Sequence, residues 1–420
     1  MTDLAERLDE LRDRGLHRRL RLVSGPQGAR VLLDGRPVLM LCSNNYLGLA
    51  DHPQVREAAA EAAMRWGVGA GASRLISGNM KLHRDLEKRL AAFKRSEAAL
   101  LFGSGYLANS GIVAALARNG EVVFSDQLNH ASIIDGCRLA RAETFAYRHA
   151  DLEHLEWGLR RAQGRGSLIV TDGVFSMDGD VAPIAGLVEL ARRYDCRLMV
   201  DEAHATGAVG PGGRGSVAAA GLSRAVDLVV GTLGKALGGY GAYVCASREI
   251  VEYLINTARP LIFSTAPSPP LVAAALAAVE LLEANPHRVD RLQANARTLR
   301  EALAAEGLAL GASHTQIVPL MVGDAEAAVE LCERALERGV FGQAIRPPTV
   351  AEGTSRLRLT AMATHRSSEL ARAARTLATV AREIGLPPEA APERRGRRGE
   401  QQGEQPRPHE EPAPQLEEAA

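Results

Sequence analysis

A chain of 420 residues, 46% hydrophobic and 24% charged, has an ordinary globular composition and room for two domains or for one large domain with a smaller lobe. Its 50 basic and 50 acidic side chains cancel to a formal net charge of zero, so no global field draws it to nucleic acid or an anionic membrane. The five cysteines, Cys42, Cys137, Cys196, Cys245 and Cys332, form no C-x-x-C pair, which argues for reduced thiols and against a zinc site or a disulfide framework.

Residues 3–20 read as an amphipathic helix with Leu4, Leu8 and Leu11 on one face. This start lacks the apolar core of a signal peptide. No run approaches the roughly 18 apolar residues of a membrane span, so a cytoplasmic protein is expected. Val31-Leu32-Leu33 and Val38-Leu39-Met40-Leu41 flank Asp34-Gly35-Arg36-Pro37, a hairpin with an Asp-Gly turn. Cys42 to Gly48 is a polar loop. From residue 53, helices at 53–66, 82–94 and 108–118 alternate with short apolar strands at 98–102, 121–124, 168–171, 197–200 and 227–230. Another helix covers 183–194, begun by Pro183. Strands without polar alternation are buried on both faces, and alternation with helices implies a mostly parallel sheet.

Pro267-Ser268-Pro269-Pro270 opens a long apolar helix ending near Asn285-Pro286, the link to an α+β lobe. That lobe has helices at 287–306, 325–338 and 367–384 and strands at 317–322 and 356–360. The domain reading is a helix-and-hairpin segment over 1–45, a large α/β domain over 46–285, a small α+β domain over 286–386 and a tail over 387–420. The tail is rich in Pro, Glu, Arg, Gln and Gly with one leucine, Leu416, so it is expected to be disordered.

Three strands end in reactive residue types. The first ends in Asp172-Gly173-Val174-Phe175-Ser176-Met177-Asp178-Gly179-Asp180, the second in Asp201-Glu202-Ala203-His204, and the third in Gly231-Thr232-Leu233-Gly234-Lys235. Parallel sheets bind ligands at the carboxyl ends of their strands. A helicase reading of Asp-Glu-Ala-His fails, because the only Gly-Lys, Gly234-Lys235, lies downstream and is followed by Ala236. Gly67-Val68-Gly69-Ala70-Gly71-Ala72 follows a helix and misses the dinucleotide spacing, so it reads as a loop where backbone approaches a ligand. His130 and His204 lack metal-ligand spacing, and no metal is expected.

A pyridoxal phosphate site accounts for the set. That cofactor needs a lysine for a Schiff base, a carboxylate at its ring nitrogen, phosphate donors and a flat group on the ring. Lys235 and Asp201 meet the first two needs. Thr232 and the backbone of Gly105-Tyr106 at a helix start suit the phosphate. His130 suits the ring face, and His204 and Ser176 the ring's phenolate oxygen. Taken singly, Asp201 could be a helix cap, Thr232 a turn hydroxyl, and the two histidines core residues.

With these residues in view, the chain resembles the α-oxoamine synthases from about residue 16 to residue 385. The match is densest in Ser43-Asn44-Asn45-Tyr46-Leu47-Gly48-Leu49, Ser104 to Asn109, His130-Ala131-Ser132, Gly173 to Asp180, Val200 to His204 and Gly231 to Leu237. Asn45 departs from the pattern, since many members carry Asp there; Asn44 and Tyr46 match. The resemblance implies a type I pyridoxal-phosphate (aspartate aminotransferase-like) fold: an α/β large domain on a mostly parallel sheet with a smaller α+β C-terminal lobe. It implies an acyltransferase in which Lys235, freed by the amino acid, takes the α-proton. Arg358 and Asn44 are then substrate contacts, as are Arg18, His130 and Thr349.

Within the family, Ala344-Ile345-Arg346-Pro347-Pro348-Thr349-Val350 and Ser355 to Thr360 resemble the members that join L-alanine to pimeloyl-CoA or a pimeloyl carrier protein in biotin synthesis. Gly238-Gly239 and Val322 to Ala325 also occur in a member that uses glycine and an acetyl thioester. A homodimer is implied, with Ser264 and Thr265 reaching the partner's cofactor phosphate.

Overall fold

The computed structural model describes residues 3–14 and 16–386, so the expectation for the 387–420 tail lies outside the described residues. Seven strands form the main sheet in the order Ala98–Phe102, Ala242–Ala246, Leu228–Thr232, Arg197–Asp201, Gly166–Asp172, Val122–Asp126, Glu143–Tyr147. The last five are mutually parallel. Ala242–Ala246 runs antiparallel to both of its neighbours. The apolar strands are buried on both faces as their composition requires. Ile169, Leu198 and Val229 enter one apolar layer with Leu187, Val188 and Val279. Their sequence neighbours Leu168, Met199 and Leu228 enter the opposite layer with Ile112, Val113 and Ile133. The strand period of two thus splits one run of hydrophobic residues between two helical layers.

The helix expected over 108–118 begins earlier, at Gly105, and ends at Leu116. Ser104 caps it, its hydroxyl accepting from the Leu107 amide at 3.2 Å. The strands Glu143–Tyr147 and Ala242–Ala246 and the helix Ala131–Ala140 went unpredicted. The helix expected over 3–20 stops at Asp13, and none of its residues is buried. Leu4, Leu8 and Leu11 are exposed, so nothing among the described residues rewards helix beyond the first few turns. Among the described residues no helix is long and apolar enough to cross a membrane.

The hairpin forms as expected, Arg30–Leu33 against Arg36–Met40, with Asp34 and Gly35 both at positive φ in the turn. It does not stand apart as a 1–45 segment. Leu39 and Met40 pair in parallel with Val340 and Phe341. Val31, Leu33 and Val38 share a core with Leu320, Leu357, Leu370 and Leu377. The small lobe is therefore built from both ends of the chain. Helix His287–Ala305 joins the two cores, with Val289, Leu292 and Ala296 in the large one and Leu299 and Leu303 in the small one.

A buried ion pair fixes the turn after the central strand. Lys94 pairs with Glu202, and its Nζ also donates to Thr206 Oγ1 and the Arg214 carbonyl, each at 2.8 Å. Glu202 Oε1 accepts from Ser216 Oγ at 3.0 Å and the Val217 amide at 2.8 Å. Removing one partner strands a charge in the interior. Lys94→Met is expected to cost about 3–5 kcal/mol in urea unfolding, and Lys94→Met with Glu202→Leu much less. Equal losses in the two proteins would contradict this account.

Candidate active site

Lys235 follows the strand Leu228–Thr232 in a bend tied by backbone. The Leu233 amide donates to the Gly241 carbonyl at 2.9 Å, and the Gly239 amide returns to the Leu233 carbonyl at 2.8 Å. Gly238, at φ +67, has no room for a side chain: a Cβ there would lie 2.4 Å from the Ala50 amide nitrogen. Asp201 ends its own strand and sits in register with Asp172 on the next. His204 lies in the turn that follows, and His130 caps the helix Ala131–Ala140. Parallel alignment brings these strand ends together. Lys235, Asp201, His204, His130, Thr232, Gly105 and Tyr106 all line one cavity of about 190 Å³.

A line of hydrogen bonds runs from the lysine to the small lobe. Lys235 Nζ lies 2.8 Å from His204 Nε2, and His204 Nδ1 lies 2.7 Å from the Tyr46 hydroxyl. Arg358 Nη2 donates to Asn44 Oδ1 at 3.2 Å and to the Tyr46 oxygen at 3.3 Å. Arg358 Nε donates to the Ser176 carbonyl. On the other wall, Asp201 Oδ2 accepts from Asn109 Nδ2 at 2.6 Å, and Oδ1 accepts from the Ala203 amide at 2.8 Å. Asn109 Nδ2 also donates to Ser132 Oγ at 2.9 Å, which lies 2.7 Å from His130 Nδ1. Thr232 Oγ1 accepts from the Gly234 amide at 3.1 Å.

Burial sets the protonation states. It pulls Lys235 down to about 8, against the Asp201 carboxylate that favours the ammonium form. It drives His204 well below the ordinary histidine value, with Lys235 and Arg358 pushing the same way. It also lowers His130, against Asp201. Asp172 is raised well above the carboxylate range by burial and then by the neighbouring Asp201 charge. Neutral imidazoles thus surround an amine that loses its proton near neutral pH.

Not every residue singled out from the sequence reaches this cavity. Ser176 is half-buried and meets Arg358 through its backbone carbonyl; its hydroxyl is not in the cavity wall. Asn44 and Arg358 join the site through Tyr46. Arg18 and Thr349 line a second, larger groove of about 620 Å³ with Arg21 and Arg346. Ser264 and Thr265 lie on a loop outside the cavity, where Thr265 is bridged to Ser73. Sequence reasoning missed Asp172, Asn109, Ser132 and Tyr46 as site residues. Asp172 stands at a strand end beside Asp201, and Asn109 lies one helical turn beyond Gly105, so strand-end and helix-period criteria find both.

In the ligand-free protein, labelling of Lys235 by an amine-directed reagent, read by peptide mass spectrometry, is expected to titrate with a midpoint near 8. Asp201→Asn removes a charge that favours the ammonium form, so the midpoint falls further. A midpoint near 10 in both proteins would contradict the electrostatics described.

The aminotransferase class I and II family matches residues 36–377. An 8-amino-7-oxononanoate synthase of Geobacter sulfurreducens is 55% identical over 386 residues, spanning 91% of this chain and 99% of that protein. Among solved structures, a serine palmitoyltransferase of S. paucimobilis with a bound pyridoxal phosphate–myriocin aldimine overlays with a TM-score of 0.86 at 32% identity, covering 91% of this chain and 97% of that one. An 8-amino-7-oxononanoate synthase of Francisella tularensis overlays with a TM-score of 0.72 at 28% identity, covering 82% of this chain and 98% of that one. By match, likeness and fold, the chain belongs to the aminotransferase class I and II family and, within it, to the α-oxoamine synthases.

Proposed function

We propose that this chain is a pyridoxal phosphate-dependent 8-amino-7-oxononanoate synthase, which condenses L-alanine with a pimeloyl thioester and releases carbon dioxide. The observation that carries the chemistry is the Lys235 amine 2.8 Å from His204 Nε2, in a cavity also lined by Asp201, His130 and Thr232. The 55% identity to a synthase of that name supports the choice of substrates.

The residues present fit the cofactor. The first-turn amides of Gly105 and Tyr106 have no intrahelical acceptor and, with Thr232, suit a phosphate. Asn109, in the cavity wall, keeps a buried Oδ1 with no hydrogen-bond partner within the described chain. When bound, the group supplies an aldehyde for the Lys235 amine and a protonated ring that draws electrons from the amino acid's α-carbon. Asp201 would hold the proton on the ring nitrogen, His130 would pack on the ring face, and His204 would take the phenolate side. Ser176 is not among the residues that line the cavity, so it is not given a role there.

The side chains then divide the work. Arg358 pairs its fork with the alanine carboxylate, and Asn44 orients that fork. Lys235, near 8 through burial, takes the α-proton at Nζ. His130, held neutral by burial, bonds the acyl substrate and assists the acyl step. Arg18 and Thr349 receive the pimeloyl end, where the groove they line also holds Arg21 and Arg346 for an anionic group. A homodimer in the cytoplasm completes the proposal, with Ser264 and Thr265 reaching the partner's phosphate. Support for the dimer comes from the exposed apolar side chains near them in sequence and on the bridged loop, Phe263 at 71% and Ile76 at 80%.

The test pairs L-alanine or glycine with pimeloyl-CoA, a pimeloyl carrier protein or acetyl-CoA and measures thiol release. Release with L-alanine and a pimeloyl thioester is expected; release only with glycine and acetyl-CoA would overturn the reading. Lys235→Ala is expected to abolish turnover. Arg358→Ala removes charge-assisted bonds worth about 1.5–3 kcal/mol, so the KM for L-alanine is expected to rise roughly tenfold to a hundredfold.

A further inference from the structure

Away from the cavity, one histidine is held between two carboxylates. His149 follows the strand Glu143–Tyr147. Its Nδ1 lies 3.1 Å from Asp126 Oδ1, and its Nε2 lies 2.8 Å from Asp180 Oδ2. Asp126 ends the adjacent strand, and Asp180 lies in the loop after the strand beyond that one. His149 therefore reaches across one strand end to the Gly173–Asp180 loop. Burial opposes its charge, but the two carboxylates more than offset it and hold His149 at about 10. The clasp is an imidazolium at neutral pH.

The surrounding backbone is bent to fit. Ala150 stands at φ +54, a left-handed conformation that a residue with a Cβ rarely adopts. Its amide donates to Asp126 Oδ2 at 2.9 Å, so the carboxylate that binds His149 also holds this turn. Phe175, in the clasped loop, meets the His149 ring edge-on with centroids 4.4 Å apart. The Phe175 amide donates to the Asp180 carbonyl at 3.1 Å, and the Gly179 amide to the Phe175 carbonyl at 2.8 Å. His149 thus grips both ends of one tight turn.

That turn is where the small lobe docks. Its Ser176 carbonyl accepts from Arg358 Nε, and its Asp178 pairs with Arg356. The Gly179 carbonyl accepts from Thr315 Oγ1 at 2.8 Å and Ser313 Oγ at 3.1 Å. A shift of the turn moves the carbonyl that aims the Arg358 fork.

We propose that His149, bridging Asp126 and Asp180, is a positioning residue for the amino-acid substrate: it holds the 173–180 turn so that Ser176 aims Arg358. This rests on the reading of Arg358 as the contact for the alanine carboxylate. The test uses holoenzyme, with L-alanine titrated against the visible spectrum of the bound cofactor and KM measured for both substrates. The variants are His149→Gln, Asp180→Asn and Arg358→Ala. Asp180→Asn, which removes one charge-assisted bond, is expected to raise the dissociation constant and KM for L-alanine roughly tenfold, and His149→Gln, which removes that bond and the one to Asp126, by at least as much. KM for pimeloyl-CoA and the resting spectrum are expected to stay as in the parent. If His149→Gln yields no folded holoenzyme, Asp180→Asn, which keeps the side chain's shape, decides alone. If Arg358→Ala weakens L-alanine binding while Asp180→Asn and any folded His149→Gln protein bind as the parent does, the clasp is only structural and the inference is overturned. If Arg358→Ala itself leaves L-alanine binding unchanged, the reading beneath the inference is overturned instead.

Discussion

An amine kept from water needs neighbours that tolerate its proton without fixing it there. Lys235 has them in His204, 2.8 Å away and neutral, and in Asp201 and Asp172 at the ends of adjacent strands. The balance between burial and the Asp201 charge leaves the amine near 8, where it can carry a proton or give it up. The parallel sheet is what makes this possible. Its five parallel strands end on one side, and residues far apart in sequence arrive there with no element devoted to each. The chain has only four lysines among its 50 basic residues: Lys81, Lys88, Lys94 and Lys235. Lys81 and Lys88 are exposed on one helix, and Lys94 is committed to Glu202. Arginine supplies nearly all of the chain's cations, and Lys235 is the buried amine proposed as the base.

The second constraint is the seam between lobes. Arg358 belongs to the small lobe's strand Ser355–Thr360, yet its partners Ser176, Asn44 and Tyr46 lie outside that lobe's core. The guanidinium is buried and reaches the lysine through Tyr46 and His204. The residues proposed for substrate recognition and for proton transfer are therefore joined by one line of hydrogen bonds. The Gly173–Asp180 turn is the hinge of that join, since it offers Ser176 to Arg358, Asp178 to Arg356 and Gly179 to Thr315.

Much of this was legible in the residues. Strands such as 168–171 and 197–200 announce themselves by the apolar runs Leu168-Ile169-Val170 and Leu198-Met199-Val200, and each leads into an aspartate that lines the cavity. The helix 53–66 begins at Pro53 and ends before Gly67, which local chemistry alone decides. What was not legible depends on distant partners. Glu143–Tyr147 alternates in character and becomes a strand because Val122–Asp126 lies beside it. The hairpin's membership of the small lobe depends on Val340 and Phe341, about 300 residues away. Arg18 and Thr349 form one groove for the same reason, and no local period predicts that the segment before the hairpin lies against residues 341–349. The bond from Arg358 to the Ser176 carbonyl, set by the turn that Asp180 and Gly179 close, likewise has no signature in the local sequence.

The central claim is that Lys235, alone among four lysines, carries the cofactor. The most direct measurement is borohydride reduction of the holoprotein, followed by proteolysis and mass mapping of pyridoxyl phosphate. The account predicts the whole label on the peptide containing Lys235, and none on those containing Lys81, Lys88 or Lys94. Label on any of those three, or a holoprotein that takes up no label, would contradict it.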